Sequence, residues 1–335
     1  MLEHGGGILA AARRYGIPQQ QWLDLSTGLN PHGWPVPALP ASCWQRLPEE
    51  HDGLEDAAAG YYGNASLLPV AGSQAAIQAL PLLRPAGCVG LLATSYAEHA
   101  HAWQRHGHQV EKLTPEQIDA ALPQLDVLLL VNPNNPTGAR FAAATLLRWH
   151  AALAARGGWL IVDEAFMDCA PADSLVPQSG AAGLIVLRSL GKFFGLAGVR
   201  VGFVFAWREL LDALREALGP WTLAGPARAA ARLALLDTGW HADTRSLLAA
   251  EGNRLATLLH AHGLPPSGGT ALFQWLDHPQ APALHEFLAR RGILCRFFAG
   301  SHSVRFGLPA DEPGWRRLAD ALQAFHAARQ GSHSS

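Results

Sequence analysis

Two lysines, Lys112 and Lys192, occur in this chain of 335 residues, although lysine and arginine together number 25. A general preference for arginine explains the scarcity of lysine, but it does not explain where Lys192 lies. Lys192 follows an apolar run and sits in a glycine-rich segment, residues 189–200, that ends in arginine. Since a guanidinium stays protonated and cannot form an imine, an amine that the chemistry requires cannot be replaced by arginine. Lys192 is therefore a candidate Schiff-base lysine.

Three further polar segments each follow an apolar run. Residues 72–74 (Gly-Ser-Gln) precede a helix pattern, and a glycine at a helix start leaves backbone N–H groups free to hold an anion such as phosphate. Residues 132–138 form an Asn/Pro loop, and open α/β sheets place active-site loops behind their strands. Asp163 and Glu164 end another run. Taken one at a time, each segment also has a purely structural explanation. The Gly-Ser-Gln segment fits a packing turn, the Asn/Pro loop fits a plain turn, and each acid fits a cap or a surface group.

Together, the four segments meet the requirements of catalysis by pyridoxal phosphate (PLP). The lysine forms an imine with the cofactor, and an aspartate keeps the pyridine nitrogen protonated. An amide lies near the ring's 3-oxygen, and a glycine-rich helix start with serine and arginine holds the phosphate. The sequence therefore indicates a PLP-dependent enzyme.

The elements that must position these residues are those of an α/β protein. Continuously apolar runs predict strands buried on both faces of a parallel sheet at 89–93, 127–131, 159–162, 184–187 and 201–205. A helix at 142–156 alternates with them, which predicts a doubly wound, mostly parallel domain. Beyond residue 220, a long helix signal at 226–262 leads into a smaller α+β pattern. We expect an N-terminal arm at 1–48, a large α/β domain at 49–219, a small α+β domain at 220–330 and a disordered tail at 331–335.

Composition argues against several other classes of protein. The formal charge of −2 does not suit a nucleic-acid surface, and no apolar run reaches the roughly 18 residues of a membrane span. The N-terminus lacks a signal-peptide pattern, and the four cysteines show no CxxC, which is typical of thiols in a reducing cytoplasm. The sixteen histidines show no metal-ligand spacing; His99 and His101, two residues apart, diverge on a helix. We expect a cytoplasmic protein without a metal, nucleic-acid or membrane partner.

With these motifs in order, the chain resembles the fold-type I PLP enzymes over nearly its whole length, and specifically their histidinol-phosphate aminotransferase subgroup. The resemblance implies the fold-type I transferase fold, a homodimer, and a cis peptide at Asn135–Pro136. The cofactor-binding residues that it implies are Gly72, Ser73, Gln74, Tyr96, Asn135, Asp163, Ser189, Lys192 and Arg200.

The same resemblance implies individual roles. Lys192 would form the Schiff base, Asp163 would pair with the pyridinium, Asn135 would contact the 3-oxygen and Tyr96 would stack on the ring. Arg305 would bind the α-carboxylate of the substrate.

Two departures from the aminotransferase pattern concern the reaction. Phe166 stands where those enzymes usually carry a tyrosine, and Leu47 replaces the tyrosine of their Arg-Tyr-Pro motif. The loss of both hydroxyls argues against plain transamination of histidinol phosphate.

The opening segments, His-Gly-Gly at 4–6 and residues 24–33, are similar to those of the L-threonine-O-3-phosphate decarboxylases. That family makes (R)-1-amino-2-propanol O-phosphate for cobalamin. This resemblance favours decarboxylation of a phosphorylated amino acid, with a histidinol-phosphate-type aminotransferase as the alternative. Candidate substrate-binding residues besides Arg305 are His4, Asn30 and Arg296.

Overall fold

The computed structural model describes residues 4–332. Its strands are β1 (Leu23–Leu25), β2 (Leu67–Val70), β3 (Cys88–Leu92), β4 (Gln109–Leu113), β5 (Val127–Val131), β6 (Trp159–Asp163), β7 (Leu184–Ser189), β8 (Gly202–Phe205), β9 (Gly268–Thr270), β10 (Phe273–Asp277), β11 (Ile293–Phe298) and β12 (Ser303–Gly307). Its α-helices are α1 (Ile8–Tyr15), α2 (Ser42–Gln45), α3 (Leu54–Tyr62), α4 (Ser73–Ala79), α5 (Ala97–Arg105), α6 (Ile118–Ala121), α7 (Ala143–Ala154), α8 (Arg208–Leu218), α9 (Gly225–Leu236), α10 (Thr238–Ala261), α11 (Ala281–Ala289) and α12 (Glu312–Ser332).

These elements belong to two compact units. The larger unit consists of Gly33–Asn135 and Ala139–Ala242, and the smaller unit of residues 4–32, 136–138 and 243–332. The division differs from the expected boundaries at both ends, because residues 4–32 group with the C-terminal part of the chain and residues 220–242 with the larger unit.

The larger unit is built on a seven-stranded sheet in the order β2-β8-β7-β6-β5-β3-β4. Every strand runs in the same direction except β8, which is antiparallel to β2 and β7. The central strands are continuously apolar because both of their faces are covered; Leu128, Leu129 and Leu130 of β5 are all at most 2% exposed. The predicted α/β class and mostly parallel sheet are confirmed, while the run at 201–205 forms an antiparallel strand.

The direction of the strands creates the edge on which the polar segments gather. The carboxyl ends of β2, β3, β5, β6 and β7 meet at one edge of this sheet, and β8 begins there because it runs the opposite way. We call this the carboxyl edge. In open α/β sheets, ligands bind in the crevice outside the carboxyl ends of the strands.

Helices α4, α5 and α8 pack on this sheet through a shared apolar cluster. Trp103 of α5, 1% exposed, and Ile77 of α4 lie in it with Val89, Leu129 and Ile161 of the strands. Truncating a buried aromatic of this kind lowers the free energy of unfolding by about 3–5 kcal/mol. This packing therefore holds α4 and α5 firmly against the sheet, and with them the helix starts that face the carboxyl edge.

The smaller unit has a five-stranded sheet in the order β1-β11-β12-β10-β9. Strand β1 pairs in parallel with β11, and the remaining pairs are antiparallel. The segment expected to be an extended arm therefore contributes a strand and a helix: Ala11 and Trp22 pack on Ala289, and the Tyr15 hydroxyl donates to Glu286 at 2.7 Å. Three residues of β1 are too few to give a periodic signal, so the sequence did not predict it.

The long helix expected at 226–262 is two helices, because the chain turns at Asp237. The backbone of Asp237 leaves the helical region, and one carboxylate oxygen accepts the N–H of Trp240 in the first turn of α10. The other oxygen accepts the indole N–H of Trp34 at 3.0 Å. A side chain that caps one helix at the end of another separates them even though the apolar pattern continues.

Helix α12 reaches Ser332, two residues into the tail expected at 331–335, and residues 333–335 lie outside the described part of the chain. Within residues 4–332, none of the helices combines the length and the hydropathy that crossing a membrane would take.

Candidate active site

Lys192 lies in a tight turn at the carboxyl edge, three residues after β7 ends at Ser189. The Ser189 hydroxyl accepts the N–H of Gly191 at 3.1 Å, and the Lys192 carbonyl accepts the N–H of Gly195 at 3.1 Å. The Lys192 amine is half-buried and lies 5.5 Å from the ring centroid of Phe166, within the range of a cation–π contact. These contacts hold the amine in a partly sheltered position.

Asp163 ends β6 at the same edge and is paired with a histidine. Its Oδ2 lies 2.9 Å from Nε2 of His99, and its Oδ1 accepts the N–H of Ala165 at 3.0 Å. Both side chains of the pair are at most 4% exposed. A buried carboxylate held in this way has a fixed orientation and is suited to pair with a cationic ligand group.

Sequence patterns assigned no role to His99, which was one of sixteen histidines. The one feature that could have indicated a role for His99 is its spacing from Tyr96, since it lies on α5 one helical turn beyond that residue. The two rings meet edge to face, with centroids 5.9 Å apart.

The neighbouring carboxylate, Glu164, faces a different set of partners. It is 0% exposed and accepts from Arg188 at 2.8 Å and from the N–H of Leu175 at 2.7 Å. Arg188 also binds Asp168 at 2.6 Å. Burial would lower the pKa of Arg188, but the charges of Asp168 and Glu164 outweigh it and raise that pKa. Glu164 is thus part of a buried ion-pair network, and the two adjacent acids have different partners.

Tyr96 precedes α5 and connects the loop after β3 to the start of α4. Its hydroxyl donates to the side-chain oxygen of Gln74 at 3.3 Å, and Gln74 donates to Glu98 at 2.8 Å. Burial, together with the negative charges of Glu98 and Asp163, raises the pKa of Tyr96 to about 12. Tyr96 therefore keeps its proton at neutral pH and presents a half-buried ring beside His99.

Gly72, Ser73 and Arg200 form a small cup at the start of α4. Gly72 has φ +70°, and a Cβ placed there would lie 2.6 Å from Nη2 of Arg200. A Cβ on Gly202 would lie 2.6 Å from the backbone N of Ser73, so glycine lets the start of β8 approach the helix. A helix N–H group and a guanidinium that converge in this way suit a phosphate.

The Asn/Pro loop after β5 is fixed by Asn134, which accepts from Ser95 at 2.8 Å and donates to the carbonyl of Thr94 at 2.8 Å. Asn135 follows it and is half-buried. The expectation of a cis peptide at Asn135–Pro136 was wrong, since the cis bond is Asn132–Pro133. Both are Asn–Pro bonds with the same low cis penalty, so the sequence does not distinguish them.

The smaller unit carries two arginines that were expected to bind substrate. Arg296 of β11 and Arg305 of β12 are directly opposite each other in the antiparallel register, so they share a face of the sheet. Arg305 is 6% exposed, and burial together with the charge of Arg296 lowers its pKa to about 10. Like charges opposite each other are destabilising, and a bound anion relieves the repulsion.

The other two expected substrate residues lie in the same unit. Asn30 is 3% exposed, and its side-chain oxygen accepts the N–H of His32 at 2.8 Å in a local turn. His32 in turn contacts Glu251 at 2.9 Å. His4 is exposed, two residues before the N–H of Gly6 donates to Ser26.

Comparison with known proteins identifies the family. The family model described as aminotransferase class I and II matches residues 46–322. The chain is 58% identical over 325 residues to a threonine-phosphate decarboxylase of Pseudomonas aeruginosa, with 97% of this chain and 98% of the relative covered. It is 43% identical to a threonine-phosphate decarboxylase of a Sinorhizobium species, over 96% of this chain and 97% of the relative.

The fold is shared with solved structures. A histidinol-phosphate aminotransferase from Sinorhizobium meliloti in complex with pyridoxal-5'-phosphate superimposes with a TM-score of 0.84 at 21% identity, over 96% of this chain and 95% of that one. Because the family model matches residues 46–322, most of its length, the chain belongs to the aminotransferase class I and II family.

Proposed function

We propose that this protein is a PLP-dependent decarboxylase that converts L-threonine O-3-phosphate to (R)-1-amino-2-propanol O-phosphate for cobalamin biosynthesis, acting in the cytoplasm as a homodimer. The observation that carries the proposal is 58% identity, over 97% of the chain, to a relative named threonine-phosphate decarboxylase. All four cysteines lie within residues 4–332, and none of them forms a disulfide there, which fits a reducing compartment.

The residues at the carboxyl edge fit PLP. A Cβ at residue 72 would lie 2.6 Å from the Arg200 guanidinium, so glycine there lets Arg200 lie beside the start of α4, and this cup of Gly72, Ser73 and Arg200 suits a phosphate. His99 holds Oδ2 of the buried Asp163 carboxylate, and a backbone N–H holds Oδ1. The carboxylate therefore has a fixed orientation and can pair with a protonated pyridine nitrogen. When bound, PLP supplies an electron sink for the bond that breaks at the substrate α-carbon.

We assign the remaining cofactor contacts to residues of the same edge. Lys192 would hold the cofactor covalently, and Tyr96 would offer its ring as a stacking surface. Asn135 would supply an amide to the 3-oxygen. Gln74 and Ser189 would bind the cofactor as well, and their hydrogen bonds also support Tyr96 and the lysine turn.

On this proposal, Lys192 also moves the proton that the reaction needs. The substrate amine would take the place of Lys192 on the cofactor and so free the lysine amine. When the bond between the α-carbon and the carboxylate breaks and carbon dioxide leaves, Nζ of the freed Lys192 would give a proton to the α-carbon. The ring of Phe166, 5.5 Å from Nζ, shelters the amine from water on one side.

Arg296 and Arg305 are proposed to bind the substrate's anionic groups. Arg305 takes the α-carboxylate, and Arg296, with His4 and Asn30, takes part in holding the phosphate. The reaction depends on which α-carbon bond is aligned for cleavage, so a phosphate held at the far end of the substrate can select the carboxylate bond. Two arginines on one sheet face suit a substrate with two anionic groups.

The function is tested by giving the purified protein L-threonine O-3-phosphate while carbon dioxide and 2-oxoglutarate are both followed. We expect carbon dioxide release without 2-oxoglutarate consumption, and little turnover of unphosphorylated threonine, because a site built for a dianion leaves its donors unpaired without one. Transamination of histidinol phosphate with no carbon dioxide release would instead establish the aminotransferase alternative.

The homodimer is supported by exposed apolar surface on the larger unit. A groove there is lined by Val36, Leu39, Trp44 and Val199, and Trp44 is 70% exposed. Exposed patches of this kind mark interaction sites in soluble proteins, and most soluble oligomers are symmetric homo-oligomers.

We expect sedimentation equilibrium to give about twice the chain mass of 35.7 kDa. Trp44→Glu places a charge in the groove and should shift the protein toward monomer, whereas Leu9→Glu, an exposed leucine of the smaller unit, should not. A wild-type protein that is fully active as a monomer would rule the dimer out.

A further inference from the structure

Ser26, which follows β1 in the smaller unit, is 2% exposed, and both its side chain and its backbone make hydrogen bonds. Its hydroxyl donates to Oδ1 of Asp24 at 2.6 Å and accepts the backbone N–H of Gly6 at 2.7 Å. Its own N–H also donates to Oδ1 of Asp24, at 2.9 Å. The hydroxyl donates its hydrogen bond to Asp24, so a lone pair of the Ser26 oxygen is available to accept the N–H of Gly6.

The backbone carbonyl of Ser26 is engaged as well. It accepts from Nη2 of Arg305 at 2.9 Å. Gly5 also lies close to it, since a Cβ there would stand only 2.3 Å from that carbonyl oxygen. One residue thus contacts the glycine segment, residues 4–7, and the guanidinium of Arg305.

We propose that Ser26 is a positioning residue for substrate recognition, whose hydroxyl tethers residues 4–7 and whose carbonyl orients Arg305. The inference rests on the proposed function, in which Arg305 and His4 hold the two anionic groups of the substrate. It adds that one residue, Ser26, holds Arg305 and the segment of His4 in a fixed arrangement within the smaller unit.

The geometry separates the two contacts. Ser26→Ala removes the hydroxyl, so the N–H of Gly6 loses its acceptor, while the carbonyl that binds Arg305 remains. The glycine segment then loosens, and substrate binding must overcome the entropy of ordering it again. Because Ser26 acts through other residues, its loss should weaken binding of substrate and transition state alike, which raises KM and leaves kcat nearly unchanged.

The test measures both amide exchange and kinetics on the full-length holoenzyme. In Ser26→Ala, hydrogen exchange at the Gly6 amide should accelerate about 5–30-fold, the factor that one lost hydrogen bond of one to two kcal/mol implies. KM for L-threonine O-3-phosphate should rise by about the same factor, and kcat should stay within about twofold.

Two glycine variants test the tether from the other side. Gly5→Ala directs a methyl group into the Ser26 carbonyl and should reproduce the effect of Ser26→Ala on Gly6 exchange and on KM. Gly60→Ala is the matched control, since Gly60 is exposed on α3, outside the glycine segment, and a Cβ there meets nothing within 4 Å. Gly60→Ala should leave both measurements near wild type.

The outcomes separate this inference from the proposed function. Unchanged Gly6 exchange in Ser26→Ala overturns the tether, whatever the enzyme does. Faster exchange with an unchanged KM overturns the role in substrate recognition, and a fall in kcat as large as the rise in KM overturns a positioning role. A wild-type protein that releases no carbon dioxide refutes the proposed function, and the Gly6 exchange still decides whether the tether exists.

Discussion

Replacing Lys192 by alanine is expected to abolish turnover, by roughly 10⁴-fold or more, as the loss of a covalent catalytic residue does in other enzymes. Lys192→Arg should be equally inactive, because the reaction needs an amine that can bond to the cofactor and release a proton. Steady-state carbon dioxide release measures the loss of turnover, and the visible absorbance of the purified protein measures the loss of the covalently held cofactor.

The chain offers a direct control for this prediction, since it has only one other lysine. Lys112 is exposed on β4, and Lys112→Arg should retain full activity. Borohydride treatment of the wild type should fix the cofactor on the peptide that contains Lys192. Label on the peptide of Lys112 would show that the assignment is wrong.

Asp163→Asn is expected to lower kcat by roughly 10²–10³-fold, a loss typical of removing one preorganised electrostatic partner. A carboxylate beside the pyridine nitrogen raises the pKa of that nitrogen by favouring its charged form, and a neutral amide does not. The amide is similar in size, so the hydrogen bond to His99 can persist and the melting temperature should change little.

Glu164→Gln is the matched control for Asp163→Asn, with the opposite pattern expected. Glu164 pairs with the buried Arg188, and removing one partner of a buried ion pair costs about 3–5 kcal/mol. We therefore expect a clear fall in the free energy of unfolding, with kcat close to that of the wild type at temperatures where the variant is folded. Equal losses of activity in the two variants would mean that the roles of the adjacent acids are not separate.

The class of fold and the candidate residues of the carboxyl edge follow from local sequence patterns. Buried parallel strands must be continuously apolar, so β5 was predicted at 127–131 with the bounds that it has. The polar residues that end those runs, such as Asp163 and Lys192, were visible for the same reason, since a strand's carboxyl end and the loop behind it are adjacent in sequence. The departures at Leu47 and Phe166 and the match of the opening segments favour a decarboxylase on sequence grounds alone.

Which distant residues meet depends on the folded chain. An apolar run is the same whether its neighbour is parallel or antiparallel, so the reversed direction of β8 was not visible at 201–205. The contacts His99–Asp163, Glu164–Arg188 and Ser26–Gly6 join residues 64, 24 and 20 positions apart, and no local pattern encodes them.

The same limit explains the N-terminal segment, whose many prolines led to the prediction of an extended arm, because β1 and α1 are too short to stand out in the sequence. Their stability comes from pairing with β11 and packing on Ala289, more than 260 residues further along the chain. Local propensity does not record such long-range contacts, whereas burial and hydrogen bonding in the folded chain do. The sequence thus specified the chemical groups, and folding decided their partners.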